Sequence, residues 1–173
     1  MEKMSGLPSP RVFNTHVPFH WLPTQALEKK TKIVYLLRNP KDIAVSLHNH
    51  MRDWTALGYP GSWPDFLHLY MHTGVWCNRW FDNVRDWERQ IAAHPDIPVH
   101  VAVYEEAIKK KTETGLTGYV NASVLLVPDP NRYSVSGQVG DWKNWFTKEQ
   151  NEEFDALYKK EMDGCKLNVV FQL

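Results

Sequence analysis

The stretch Ile33-Val34-Tyr35-Leu36-Leu37-Arg38 limits the fold more than any other. It is a continuous apolar run without alternation, the pattern of a strand buried on both faces, as in parallel sheets. Asn39-Pro40 stops it at once and starts a helix. Asn39 stands as the N-cap, Pro40 at the first helical position, and Asp42 three residues on gives a capping-box-like start. Ile43, Leu47 and Met51 recur at i, i+4 and i+8, which predicts a helix over 40–54. Val99 to Tyr104 is a second buried-type strand. Two such strands with a helical crossover between them predict an α/β fold with a parallel sheet and right-handed connections.

The remaining elements follow from local chemistry. Arg11 to His16 is β-prone and closed by Pro18, which predicts a short strand ending at His16. Gly58-Tyr59-Pro60-Gly61 reads as a turn. Ser62 then caps one long helix over about residues 64–91, with Phe66 or Leu67, Tyr70, Gly74, Cys77, Phe81, Val84 and Trp87 on its inner stripe. Residues 109–118 read as loop or frayed helix, and Tyr119 to Val127 as strand-like. The last helix starts at Thr147, with Gln150 completing a capping box, buries Phe154, Leu157, Tyr158 and Met162, and ends at Gly164.

Composition excludes several functions. Lys and Arg number 20 against 20 Asp and Glu, so no basic excess marks a nucleic-acid binder. No apolar run approaches a membrane span. Cys77 and Cys165 are too few for a disulfide framework and read as buried small hydrophobes in a reducing compartment. Met1 to Pro10 lacks the apolar core of a signal peptide, so the sequon at Asn121 carries no weight and a cytoplasmic location is expected.

Three predicted strands end in residues with chemistry: His16, Arg38 and Tyr104. In open parallel sheets, ligands bind beyond the carboxyl ends of the strands. The Arg38 guanidinium before a Pro-started helix suits a phosphate or sulfate, with helix N–H groups adding positive potential, unless it merely pairs with a surface Asp. Ser46, two turns along, can add a hydroxyl. His16 can serve as a general base near neutral pH, although an isolated His is more often structural. His68 and His72 have an i, i+4 spacing but no evident third ligand, so no metal is expected. Gly137 and Gly140 can form an anion nest or a plain turn. Trp76, Trp80 and Trp87 follow helical spacing and read as core.

Several of these segments together resemble the cytosolic sulfotransferases. Arg11-Val12-Phe13-Asn14-Thr15-His16-Val17-Pro18 resembles the segment carrying that family's catalytic histidine. Val34 to Ser46 is similar to its 3′-phosphate-binding strand and helix. Gly61-Ser62-Trp63 to Trp87 resembles its next long helix. Tyr104-Glu105-Glu106 resembles the strand end whose Tyr contacts adenine, and Gly140-Asp141-Trp142-Lys143-Asn144-Trp145-Phe146-Thr147 its C-terminal signature. The match covers most of 8–106 and 137–168, within one sulfotransferase-like domain over 1–173; residues 107–136 match nothing.

The resemblance implies a three-layer fold, a parallel sheet between helices. It also implies transfer of a sulfuryl group from 3′-phosphoadenosine 5′-phosphosulfate (PAPS) to a hydroxyl or amine of a small acceptor such as a phenol, alcohol, steroid or amine. His16 would take the acceptor's proton. Arg38, Ser46 and Gly137 would hold the 3′-phosphate and Tyr104 the adenine, with Asn14, Thr15 and His50 toward the acceptor. Lys143, Thr147 and Glu152 fit the family's dimerisation motif, which implies a homodimer.

Departures accompany the match. The family's first strand and its Lys-Ser-Gly-Thr-Thr-Trp phosphosulfate loop have no counterpart here. Asn14 stands where Lys is usual, and Val135-Ser136-Gly137 where Arg-Lys-Gly is usual. Two other readings therefore stand beside the enzyme: a catalytically impaired nucleotide-binding or dimerising variant, and a truncated gene product.

Overall fold

The computed structural model describes residues 12–53, 58–75, 77–114 and 139–171. Among these residues the centre is a two-stranded parallel sheet, β1 (Ile33–Leu37) beside β2 (Val99–Val103), in the register Ile33↔Val99 through Leu37↔Val103. Six helices accompany it among the described residues: α1 (Thr24–Glu28), α2 (Pro40–Asp53), α3 (Trp63–His72), α4 (Trp80–Ala93), α5 (Tyr104–Thr114) and α6 (Lys148–Glu161). Single 3-10 turns lie at Phe19–Trp21 and Asp141–Asn144.

One core joins the sheet to the helices. Leu37 from β1, Ala44 from α2, Phe66, Leu67, Tyr70 and Met71 from α3, Phe81 and Val84 from α4, and Phe154 from α6 pack together, each nearly or wholly buried. This is the α/β arrangement expected, a parallel sheet flanked by helices. Tyr35 extends the core by stacking on Trp87 at 4.5 Å. β1 is not covered on both faces, however: Val34 is 60% exposed, next to exposed His100 of β2. The unbroken apolar run signalled a parallel strand correctly but overstated its burial.

Local chemistry accounts for the starts of α3 and α6. Ser62 caps α3 by accepting from the Asp65 N–H. Thr147 and Gln150 close a full capping box at α6, and the turn after it ends with Gly164 in the left-handed region.

Several expectations are corrected or narrowed. The long helix is two helices, one ending at His72 and the next starting at Trp80, and between them Gly74, Cys77 and Asn78 all have positive φ. A Cβ on Gly74 would stand 2.7 Å from the Arg79 backbone nitrogen, so the chain folds too closely there for any side chain. Gly74 fell in phase with the helical stripe, which hid the break. Residues 12–18 belong to no helix or strand, so His16 does not end a strand. Residues 109–114 belong to α5, the helical one of the two readings given for that stretch. Both cysteines are free and only partly buried. The strand expected over 119–127, together with Trp76 and Gly137, lies outside the described residues.

Candidate functional site at the strand ends

β1 and β2 run parallel and end at the same level, so the residues after them are neighbours. The Arg38 guanidinium lies over the Tyr104 ring, 4.5 Å from its centroid, within cation–π range. Tyr104 is 4% exposed beneath it. Arg38 Nε is buried and makes no hydrogen bond. A buried donor without a partner costs free energy, and an arginine in that position is suited to an anion.

The following residues tie this point to the rest of the molecule. The Asn39 N–H donates to Glu105 Oε1 at 2.8 Å, and Asn39 Oδ1 accepts from the Lys41 N–H at 2.9 Å, capping α2. The Tyr70 hydroxyl of α3 donates to the Pro40 carbonyl at 3.1 Å. Lys41 Nζ donates to Asn151 Oδ1 at 2.6 Å and to Asp155 on α6, and sits 4.4 Å from the Trp142 ring. Asp42 accepts from the Gly140 N–H at 2.8 Å and the Trp142 N–H at 3.0 Å. Thus residues 38–42 contact α5, α3, α6 and the 141–144 turn in succession. Asp42 does not close a capping box, as its spacing suggested; both carboxylate oxygens serve the distant turn.

Burial sets the electrostatics. Glu105 is fully buried with Oε2 unpaired. Desolvation pushes its pKa above the ordinary value, against the Asn39 N–H and the Arg38 charge, which favour the anion. On α4, burial pushes the Asp86 carboxyl up. Hydrogen bonds from His20, Arg89 and Gln90 outweigh it and hold the group below its usual range.

The other sequence candidates are more dispersed. Ser46 lies partly buried on α2, downstream of Arg38. Asn14, Thr15 and His16 are exposed on the segment before Phe19, where Thr15 Oγ1 accepts from the Val17 N–H. That segment is anchored just beyond His16 by Phe19, 2% exposed and edge-on to Trp87. His50 is exposed on α2. Lys143 is exposed on the 141–144 turn, Thr147 caps α6, and exposed Glu152 pairs with Lys148 at 3.8 Å. His68 and His72 stand 4.7 Å apart, and His72 engages Glu153. Among the described residues, no group of three or more His, Cys, Asp or Glu gathers as a metal site. Sequence reasoning missed Lys41, Asp42 and Glu105 as parts of the site's framework, because their partners are remote in sequence.

Comparison with known proteins agrees with this architecture. The sulfotransferase domain model matches residues 1–114 and 122–166. The chain therefore belongs to the sulfotransferase family. Sulfotransferase 1B1 of Mus musculus is 30% identical over 197 aligned residues, covering 96% of this chain and 66% of that protein. Sulfotransferase 1A1 of Canis lupus familiaris is 31% identical, covering 100% of this chain and 69% of its own length. The chain thus spans about two thirds of the length of these relatives. Mouse sulfotransferase SULT7A1, crystallised in complex with PAP, superposes with a TM-score of 0.73 at 30% identity, over 95% of this chain and 69% of that one. Retinol dehydratase, in complex with androsterone and the inactive cofactor PAP, has a TM-score of 0.71 at 18% identity, a likeness of fold alone. No helix among the described residues is long and apolar enough to cross a membrane.

Proposed function

We propose that this protein is a PAPS-dependent sulfotransferase acting, as one domain over residues 1–173, on a small acceptor bearing a hydroxyl or amine. The observation that carries the reading is Arg38, its Nε buried and unpaired, lying over Tyr104 where β1 and β2 end and α2 begins. That place suits the 3′-phosphate and adenine of a nucleotide, and SULT7A1, 30% identical, was crystallised in complex with PAP.

In this reading the acceptor oxygen or nitrogen attacks sulfur, the bond from sulfur to the 5′-phosphate oxygen breaks, and His16 takes the acceptor's proton. Adenosine 3′,5′-bisphosphate leaves. Arg38, Ser46 and Gly137 hold the 3′-phosphate and Tyr104 the adenine, while Asn14, Thr15 and His50 face the acceptor. The transition state spreads negative charge over oxygens, so positioning and cationic or N–H donors supply most of the catalysis. The step as written uses no metal. A cytoplasmic location and a homodimer formed through Lys143, Thr147 and Glu152 complete the proposal.

A radiolabelled sulfate-transfer assay with phenols, steroids and amines tests it. Transfer that is lost in His16→Ala supports the reading; transfer no greater than in His16→Ala contradicts it. Asn14, in the place of a lysine, favours a second reading in which the chain binds nucleotide without turnover. That outcome would give calorimetric binding of adenosine 3′,5′-bisphosphate with no transfer.

A further inference from the structure

Asp42 is a buried carboxylate, 2% exposed, in the first turn of α2. Its two oxygens accept from two backbone amides, Gly140 at 2.8 Å and Trp142 at 3.0 Å, 98 and 100 residues away. Those amides open the Asp141–Asn144 turn, and Gly140 reaches it with φ +88°, a left-handed conformation suited to glycine. The neighbouring Lys41 presses its ammonium on the Trp142 ring. The turn is therefore held by two consecutive side chains of the helix that starts just after Arg38. Three buried donors at this junction make no hydrogen bond: Arg38 Nε, Asn39 Nδ2 and Trp142 Nε1. Unpaired buried donors are rare in folded proteins; three of them on residues of this junction, against one unpaired acceptor, Glu105 Oε2, leave more donors than the protein itself satisfies and suit a ligand that brings acceptor oxygens.

We propose that Asp42 is a positioning residue: it docks the Gly140–Trp142 turn on the N-terminal end of α2 and so completes the anion site at Arg38. The proposal rests on the nucleotide reading above. Asp42 does not touch the nucleotide. It fixes the turn by offering one acceptor to each amide, and the charge of the carboxylate strengthens both bonds. Asn at this position keeps one acceptor and turns an NH₂ group toward the other amide, so the turn is released while the helix is kept.

The test uses the full chain. Amide hydrogen exchange by NMR reads the docking directly, and calorimetric titration with adenosine 3′,5′-bisphosphate reads the site. In Asp42→Asn, the Gly140 and Trp142 amides should exchange about a hundredfold faster while α2 amides stay protected, and nucleotide affinity should fall about tenfold. Arg38→Ala serves as the control that loses affinity without releasing the turn. If Asp42→Asn does not fold, Asp42→Glu, which keeps the charge but changes the reach, carries the same comparison. Unchanged affinity in a folded variant, or unchanged exchange at both amides, overturns the proposal. A wild type that binds no nucleotide overturns the underlying reading and this proposal with it, an outcome that the wild-type titration alone identifies.

Discussion

Lys41 is 2% exposed, yet its ammonium has two oxygen partners and a ring face around it. Removing the charge leaves Asn151 and Asp155 facing an apolar stem, though Asp155 is itself half-exposed and regains water. Lys41→Met should therefore destabilise the fold by about 2 kcal/mol, less than for a fully buried pair, measured as a lowered midpoint in urea. His48 is the opposite case. It is 5% exposed among Tyr59, Trp63, Phe66 and Trp145, with Nδ1 unpaired. Burial, and then the Arg52 charge, hold its pKa below the ordinary 6.5, opposed by Asp53. A histidine whose folded pKa is depressed stabilises the fold above its unfolded pKa, and this contribution is lost as pH falls below 6.5. The melting temperature of the wild type should fall more steeply between pH 7 and pH 5 than that of His48→Phe. Equal slopes would show that His48 is not buried in its neutral form.

At the scale of elements, the break between α3 and α4 is set by backbone conformation. Gly74→Ala forces a side chain into a positive-φ position and against the Asn78–Arg79 backbone. It should cost about 2 kcal/mol or more, seen as a lower thermal midpoint with unchanged helix content. The sequence showed the elements whose signals are local. Asn39-Pro40 and the Thr147–Gln150 box name their own helix starts, because a cap is made by residues within one turn. The Gly74 break stayed hidden because an apolar stripe reports which face is buried and says nothing of φ. The segment bearing His16 read as a strand from its β-prone residues, but a strand exists only with a partner, and partners are not written locally.

Across the whole molecule, two strand ends and the first turn of α2 gather the contacts that organise the fold. Arg38 and Tyr104 were legible as candidates because both follow strands that the parallel pattern places side by side. The framework that holds them, Glu105 on Asn39 and Asp42 on Gly140 and Trp142, was not legible, since those bonds join residues 66 to 100 positions apart. Under the proposed function, this junction holds the nucleotide. Calorimetric titration of the wild type and Arg38→Ala with adenosine 3′,5′-bisphosphate measures this. One saturable site is expected in the wild type, and affinity at least about tenfold weaker in the variant, as for a lost charged hydrogen bond. Equal affinity in the two proteins, or no binding to the wild type, would contradict it.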